Sequence, residues 1–231
     1  MTTDRTPTGI SLIQAPERGI WRLGKANEPL KYDTISRQVA SGSGGKPWSM
    51  ASYGTLYCAT DQEGCYAEAL APFRLHPTTL RDAVEDWKDP SYMPPGRLPR
   101  DWSTRRILVR LQPVKEARFL DVDDEETLEA LSRELRQELA ALGVSRLTTA
   151  DIQGFNPRVT RRISAWAITQ RTGPSEQERL IHGIAYRSRL GLRQCWAVFG
   201  DVELKQVESS LVFPEAEALR EVADECGLRM L

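Results

Sequence analysis

The sequence predicts an α+β chain, a single compact domain with a mixed or antiparallel sheet core flanked by helices. Three observations predict it. Short apolar runs suited to buried strands recur along the chain, and amphipathic stretches of helical period stand between them in no regular order. No internal repeat or low-complexity tract is present, and 231 residues suit one elaborated domain.

Residues 1–18 are polar and read as a peripheral N-terminal segment. The remainder, 19–231, reads as the domain proper. Gly19 to Leu23 is a first short strand. Residues 24–54 are rich in Gly, Ser, Lys and Pro and read as a loop whose glycines allow close backbone approach to a ligand. Thr55 to Ala59 is a buried strand. Thr60-Asp61-Gln62-Glu63 fits a capping box, so a helix is expected from there to about Phe73. Residues 77–104 carry many prolines with Trp87 and Trp102, and read as a long irregular insertion of the kind often found over binding sites.

Arg106–Leu111 and Arg118–Val122 read as strands. Asp123 or Asp124 can cap the next helix, on which Leu128, Leu131, Leu135, Leu139 and Leu142 share one face, and Gly143 ends it. A further helix spans about Pro157 to Arg171. Gly183–Tyr186 and Trp196–Phe199 are strands, and an amphipathic helix follows Pro214.

Composition excludes several function classes. Hydrophobic residues at 40% with six Trp, six Tyr and five Phe supply a sizeable core, and 27% charged residues describe a globular chain. A net charge of −1 leaves no basic footprint for direct nucleic-acid binding. No apolar run approaches the roughly 20 residues of a membrane span, and the start lacks the apolar stretch of a secretory signal. Cys58, Cys65, Cys195 and Cys226 form no CxxC pair, so reduced thiols and a cytoplasmic location are expected. His76 and His182 lie far from one another and from any cysteine pair, so no metal site is expected.

Three polar residues stand in apolar surroundings: Arg22 beside Trp21 and Leu23, Glu68 between Ala67 and Ala69, and Ser188 after Gly183-Ile184-Ala185-Tyr186-Arg187. Taken singly, each has an ordinary explanation. Periodicity alone favours an exposed helix glutamate, a snorkelling strand arginine and a turn serine. Arg158, Arg161 and Arg162 at a helix start read as a solvated charged face, with phosphate or partner contact as the competing role.

The order of the three residues and their contexts resembles the RES-domain family. The resemblance runs through Trp21-Arg22, Ser43-Gly44-Gly45-Lys46-Pro47-Trp48, Gly54-Thr55-Leu56-Tyr57-Cys58-Ala59, Glu68, and Gly183 to Arg189 followed by Trp196-Ala197-Val198-Phe199. It covers roughly residues 19–205. It implies a fold similar to ADP-ribosyltransferase toxins and an NAD⁺-degrading toxin of a toxin–antitoxin module. Such an enzyme cleaves the nicotinamide–ribose bond of NAD⁺, with water or inorganic phosphate as acceptor and no resident cofactor.

Carried over, the resemblance makes Arg22, Glu68 and Ser188 the catalytic set, and Gly44, Gly45, Lys46, Trp48 and Tyr57 substrate-binding. Arg22 and Lys46 would hold the pyrophosphate and Glu68 would face the ribose. The family's Gly-Gly-Arg is Gly44-Gly45-Lys46 here, a point charge where a bidentate fork is usual. The implied partner is a cognate antitoxin, with no membrane; a homodimer is compatible with the chain. Two other readings stand beside this one: an ADP-ribosyltransferase acting on a protein, and a non-catalytic nucleotide- or partner-binding module.

Overall fold

A run such as Thr55–Ala59, with no polar face to offer water, belongs inside a sheet, and there the chain puts it. The computed structural model describes residues 3–42, 44–51, 53–74, 96–99, 101–154, 157–172 and 178–230. In chain order, β1 (Thr3–Arg5), β2 (Ser11–Ile13) and β3 (Ile20–Lys25) precede α1 (Arg37–Ser41), β4 (Thr55–Ala59) and α2 (Gln62–Leu70). Next come β5 (Arg97–Leu98), β6 (Arg106–Pro113), β7 (Phe119–Asp121), α3 (Glu125–Glu134), α4 (Arg136–Ala140), α5 (Thr149–Gln153) and α6 (Pro157–Thr169). The chain continues with β8 (Arg171–Thr172), β9 (Glu178–Arg179), β10 (Gly183–Arg187), β11 (Gln194–Phe199), β12 (Leu204–Leu211), α7 (Glu217–Glu225) and β13 (Arg229–Met230).

Nine strands make one sheet in the order β1-β2-β7-β10-β11-β4-β3-β6-β12. β7 and β10 run parallel and the other neighbours antiparallel, so the sheet is mixed, as expected. Its centre is apolar on both faces: Leu56, Phe119, Ile184, Trp196 and Phe199 are fully buried, and Phe119 meets Trp196 edge-on at 5.1 Å. Helices cover it. α2 packs on β3, β4 and α7, and α6 packs on β10.

One junction positions the site. β3 pairs with β6 along its whole length, but meets β4 at a single register position, Trp21 opposite Ala59. The ladder between β3 and β4 ends there. The long 24–54 connection between these two strands lies against the region where their pairing stops.

Several elements differ from the sequence expectation. The N-terminal segment is no mere appendage: β1 and β2 extend the sheet beyond β7, and Ile10, Leu12 and Ile13 are buried. The 24–54 stretch contains α1 and isolated bridges at Asp33–Thr55 and Ile35–Ala51. The α2 cap is Asp61, whose carboxylate accepts from Gly64 N at 2.7 Å, a contribution of about 1 kcal/mol. Thr60 is used elsewhere, accepting from Trp196 Nε1 at 3.0 Å. The leucine helix breaks at Leu135 into α3 and α4, and Asp124 is its cap. β12, an exposed edge strand with a bulge between Gln206 and Glu208, has no alternating pattern to announce it. Of the expected 77–104 insertion, residues 77–95 and 100 lie outside the described residues; Leu98 and Trp102 are buried at its end.

Asp123, between β7 and α3, is held in an unfavourable charged state. One carboxylate oxygen is buried without a hydrogen-bond partner among the described residues. Burial, and then repulsion by Asp121, push its pKa up to about 6. A carboxyl raised on folding favours the native state most at low pH, and that contribution is lost as pH rises through 6. Asp123→Asn should therefore raise stability above pH 6, by about 1 kcal/mol once the shift is discounted for solvent screening of a partly exposed group. Below pH 4 the gain should vanish. Urea melts of both proteins at pH 4 and 7.5 check this; an equal change at both pH values would contradict it.

Candidate functional site

Glu68 and Ser188 come together although 120 residues separate them. Ser188 follows the last residue of β10, and its N–H donates to Arg193 O at 2.8 Å as the β10–β11 hairpin closes. Glu68 lies on the last turns of α2, which returns from β4. β11 pairs with β10 on one side and β4 on the other, so the end of β10 and the helix after β4 share one flank of the sheet. Gly64 lets α2 press close: a Cβ there would lie 2.7 Å from Ala59 Cβ.

Ser188 is buried and Glu68 is exposed. The Ser188 hydroxyl accepts from Leu190 N at 3.0 Å and donates to Glu68 Oε1 at 2.5 Å. The hydroxyl is thereby committed at both ends, and one carboxylate oxygen is fixed while the carboxylate stays accessible. Such a serine orients the glutamate; among the described residues no histidine bonds it to draw off its proton.

Lys46 supplies the cation of the group. Its ammonium lies 4.6 Å from the centroid of the Tyr57 ring. Desolvation lowers its pKa below the ordinary lysine value; attraction to Asp33 and Glu68 opposes this, and repulsion by Arg22 adds to it. The Lys46 ammonium thus feels the charges of Asp33, Arg22 and Glu68. Tyr57 keeps its ring toward Lys46, but its hydroxyl is occupied: it accepts from Trp48 N at 3.0 Å and bonds Ser49 Oγ at 2.9 Å. Ser49 Oγ in turn donates to Asp33 Oδ2 at 2.5 Å. Burial pushes the Tyr57 phenol well above its ordinary value, so it remains protonated.

Arg22 departs from the expectation of a free phosphate anchor. Nε donates to Pro29 O at 2.8 Å, Nη1 to Tyr57 O at 2.9 Å and Nη2 to Lys31 O at 3.0 Å. Three of its five N–H donors are thus spent on backbone carbonyls where the β3–β4 ladder has ended. Its charge still acts on the site, but its first task is to tie β4 to the 29–31 turn. Trp48 is a second correction. It is 1% exposed and packs against Tyr186, the ring centroids 5.4 Å apart and the planes tilted by 47°, so its ring is core and its backbone N–H is what serves Tyr57.

Gly44 and Gly45 lie on the exposed Gly-rich loop, and Gly45 has a φ of +79°, which glycine adopts without strain. Arg161, grouped by sequence with a solvated face, is instead 7% exposed and reaches this loop. Asp33 and Ser49 also escaped the sequence reading. Asp33 sits in an irregular stretch, where nothing signals burial or partnership. Asp33's bridge to Thr55 beside Tyr57's strand is the structural signal that finds it.

The arrangement can offer an oriented carboxylate to a developing positive charge and an ammonium, held over a tyrosine ring, to an anion. Sulfur chemistry finds no support: burial pushes the Cys58 thiol up to about 12 and those of Cys65 and Cys195 well above the ordinary range. Among the described residues no cluster of His, Cys, Asp or Glu has metal-binding geometry, and no helix is long and apolar enough to cross a membrane. Two surface clefts, one beside Lys25, Phe73 and Trp102 and one beside Trp21, Arg110 and Glu221, lie outside the Glu68–Ser188 group.

None of the curated proteins compared matches the chain. Among solved structures, the crystal structure of the M. tuberculosis MbcT–MbcA toxin–antitoxin complex matches at 14% identity, over 90% of this chain and 89% of that one, with a TM-score of 0.47. The sequence model of the RES domain matches residues 20–213, a span that contains Arg22, Lys46, Tyr57, Glu68 and Ser188, and the chain belongs to the RES domain family.

Proposed function

We propose that this protein is an NAD⁺-consuming enzyme that cleaves the nicotinamide–ribose bond, and that it acts as the toxin of a toxin–antitoxin pair. The observation that carries the reading is the Ser188 hydroxyl holding one oxygen of an accessible Glu68 carboxylate. Family membership supports it, and the toxin–antitoxin complex named above is the kind of assembly in which such a chain would work.

The residues suit the bond. As nicotinamide leaves, the ribose takes on oxocarbenium character, and a fixed carboxylate beside it stabilises the developing positive charge. Nicotinamide departs as a neutral molecule, taking the bonding pair, so no strong general acid is needed. Ser188 holds Glu68 in place, so that the carboxylate need not reorient as charge develops. Lys46 meets the pyrophosphate as a point charge, and Tyr57 offers its ring. Arg22 contributes its field and the tie between β4 and the 29–31 turn. Water or inorganic phosphate then takes the C1″ position, giving ADP-ribose or its 1″-phosphate.

Purified protein with NAD⁺ should release free nicotinamide, and phosphate should change the sugar product if it is the acceptor. Glu68→Gln should lower kcat by about 100-fold or more with KM little changed, since the lost interaction belongs to the transition state. A wild-type protein that releases no nicotinamide with or without phosphate, or a Glu68→Gln variant as fast as wild type, would reject the reading. Covalent ADP-ribose on protein would instead assign it to protein modification.

Ser188→Ala should be milder than Glu68→Gln, with kcat lowered about tenfold, because it loosens the carboxylate without removing it. Steady-state kinetics of the two variants side by side give the ranking. A serine variant more damaging than the glutamate variant would make Ser188 the nucleophile and overturn its orienting role.

A further inference from the structure

Helix α6 grips the loop that carries Lys46 on both sides of that lysine. Ahead of it, Arg161 Nη1 donates to Val39 O and Ala40 O, each at 3.2 Å, and to Gly42 O at 2.9 Å, while Nη2 donates to Gly44 O. Behind it, Thr160 Oγ1 donates to Pro47 O at 2.5 Å and Ser164 Oγ to Trp48 O at 3.3 Å. Residues 160, 161 and 164 share a face of α6, as the helical repeat requires. Arg161 is buried, and among the described residues its hydrogen bonds go to carbonyls alone. A buried guanidinium given over to four carbonyls is a costly way to satisfy a loop, unless the loop's position matters.

The contact is close. A Cβ on Gly45 would lie 3.1 Å from Ile35 Cγ2, 3.2 Å from Arg161 Nη2 and 3.3 Å from Val39 Cγ1. Lysine is a point charge on a flexible four-carbon stem, so its aim depends on where its own backbone is held. Here that backbone lies between two anchorages on one helix, and the ammonium lies over Tyr57.

We infer that Arg161, with Thr160 and Ser164, is a positioning residue for substrate binding, one that sets the place of the Lys46 ammonium without touching substrate. The substrate part of this inference rests on the NAD⁺ reading. The positioning part does not, because the aim of Lys46 can be measured without turnover.

The test uses full-length Arg161→Lys, which keeps the charge and loses the fork, and Thr160→Val, a milder change at the second anchorage. Labelling of Lys46 with an amine-reactive ester across pH, followed by peptide mass spectrometry, reports its titration directly. Wild type should titrate below the ordinary lysine value; Arg161→Lys should move back toward it, and Thr160→Val should move less in the same direction. With NAD⁺, Arg161→Lys should raise KM about tenfold with kcat largely kept, and should add nothing further in a Lys46→Met background. Unchanged Lys46 titration in both variants, or an Arg161→Lys penalty of equal size with and without Lys46, would overturn the inference. If labelling shifts as expected while wild type cleaves no NAD⁺, positioning stands and the NAD⁺ reading alone fails. Should Arg161→Lys not fold, the Thr160→Val labelling decides.

Discussion

The carbonyl groups of the 24–54 connection must find donors, and much of this structure follows from how they do. A chain of that length carries a full set of backbone acceptors, and the one five-residue helix and few bridges among its described residues leave many of them to be satisfied from elsewhere. Two guanidinium groups take up much of the deficit, and the Thr160 and Ser164 hydroxyls serve Pro47 and Trp48. Arg22, from the strand before the connection, serves Pro29 and Lys31 and reaches across to Tyr57. Arg161, from a helix more than a hundred residues later, serves Val39, Ala40, Gly42 and Gly44. Lysine could not replace either, since its compact ammonium lacks the planar spread of donors that spans several carbonyls. The irregular segment is thus tied to β4 and α6 by these bonds, yet free of the flatness that strand pairing would impose. That freedom lets it fold over the region where β3 and β4 part.

The same parting explains why the site lies where it does. Had β3 and β4 paired along their lengths, Tyr57 O would bond a backbone N–H in the ladder; instead it accepts from Arg22 Nη1. Tyr57 then presents its ring to Lys46 while its hydroxyl stays locked by Trp48 N and Ser49. On the other side of β4, continuous pairing through β11 to β10 brings the Ser188 turn level with α2. One strand therefore has a ruptured ladder on one edge and an intact one on the other. The rupture admits the cation-bearing loop, and the intact edge fixes the carboxylate–hydroxyl pair.

How much of this could be read from residues alone depended on whether the signal was local. β4 and β10 were legible at nearly residue resolution because an apolar pentapeptide has few other places to go. Glu68 and Ser188 were legible through their order within a family pattern, though their 2.5 Å contact was not, since it depends on strand order. β12 was illegible because an edge strand with one bulge shows neither an apolar run nor alternation. Residues 1–18 looked peripheral because their buried positions, Ile10, Leu12 and Ile13, are few and set among polar residues. Trp48 was assigned to the substrate on motif proximity, while its packing against Tyr186 required the tertiary fold. Arg161 is the sharpest case. Beside Arg158 and Arg162 it reads as surface charge, and the demand it meets, open carbonyls at the C-terminal end of α1 and in the glycines after it, arises far away in sequence.

That demand also gives a physical reason for lysine at position 46. An arginine there would bring a second planar guanidinium beside Tyr57, close to the field of Arg22, and would favour stacking flat on the ring. An ammonium above the ring keeps its remaining donors pointing away from the aromatic face, toward whatever anion approaches. Lys46 is exposed, so an approaching anion can reach its ammonium, and the attraction of Asp33 and Glu68 opposes the desolvation that lowers its pKa. What a fork would gain in geometry at residue 46 is supplied from beneath: the fork is at Arg161, acting on the backbone, and the point charge at its end inherits a defined position. Under the proposed reading, recognition of the anion would be divided between one residue that aims and another that binds.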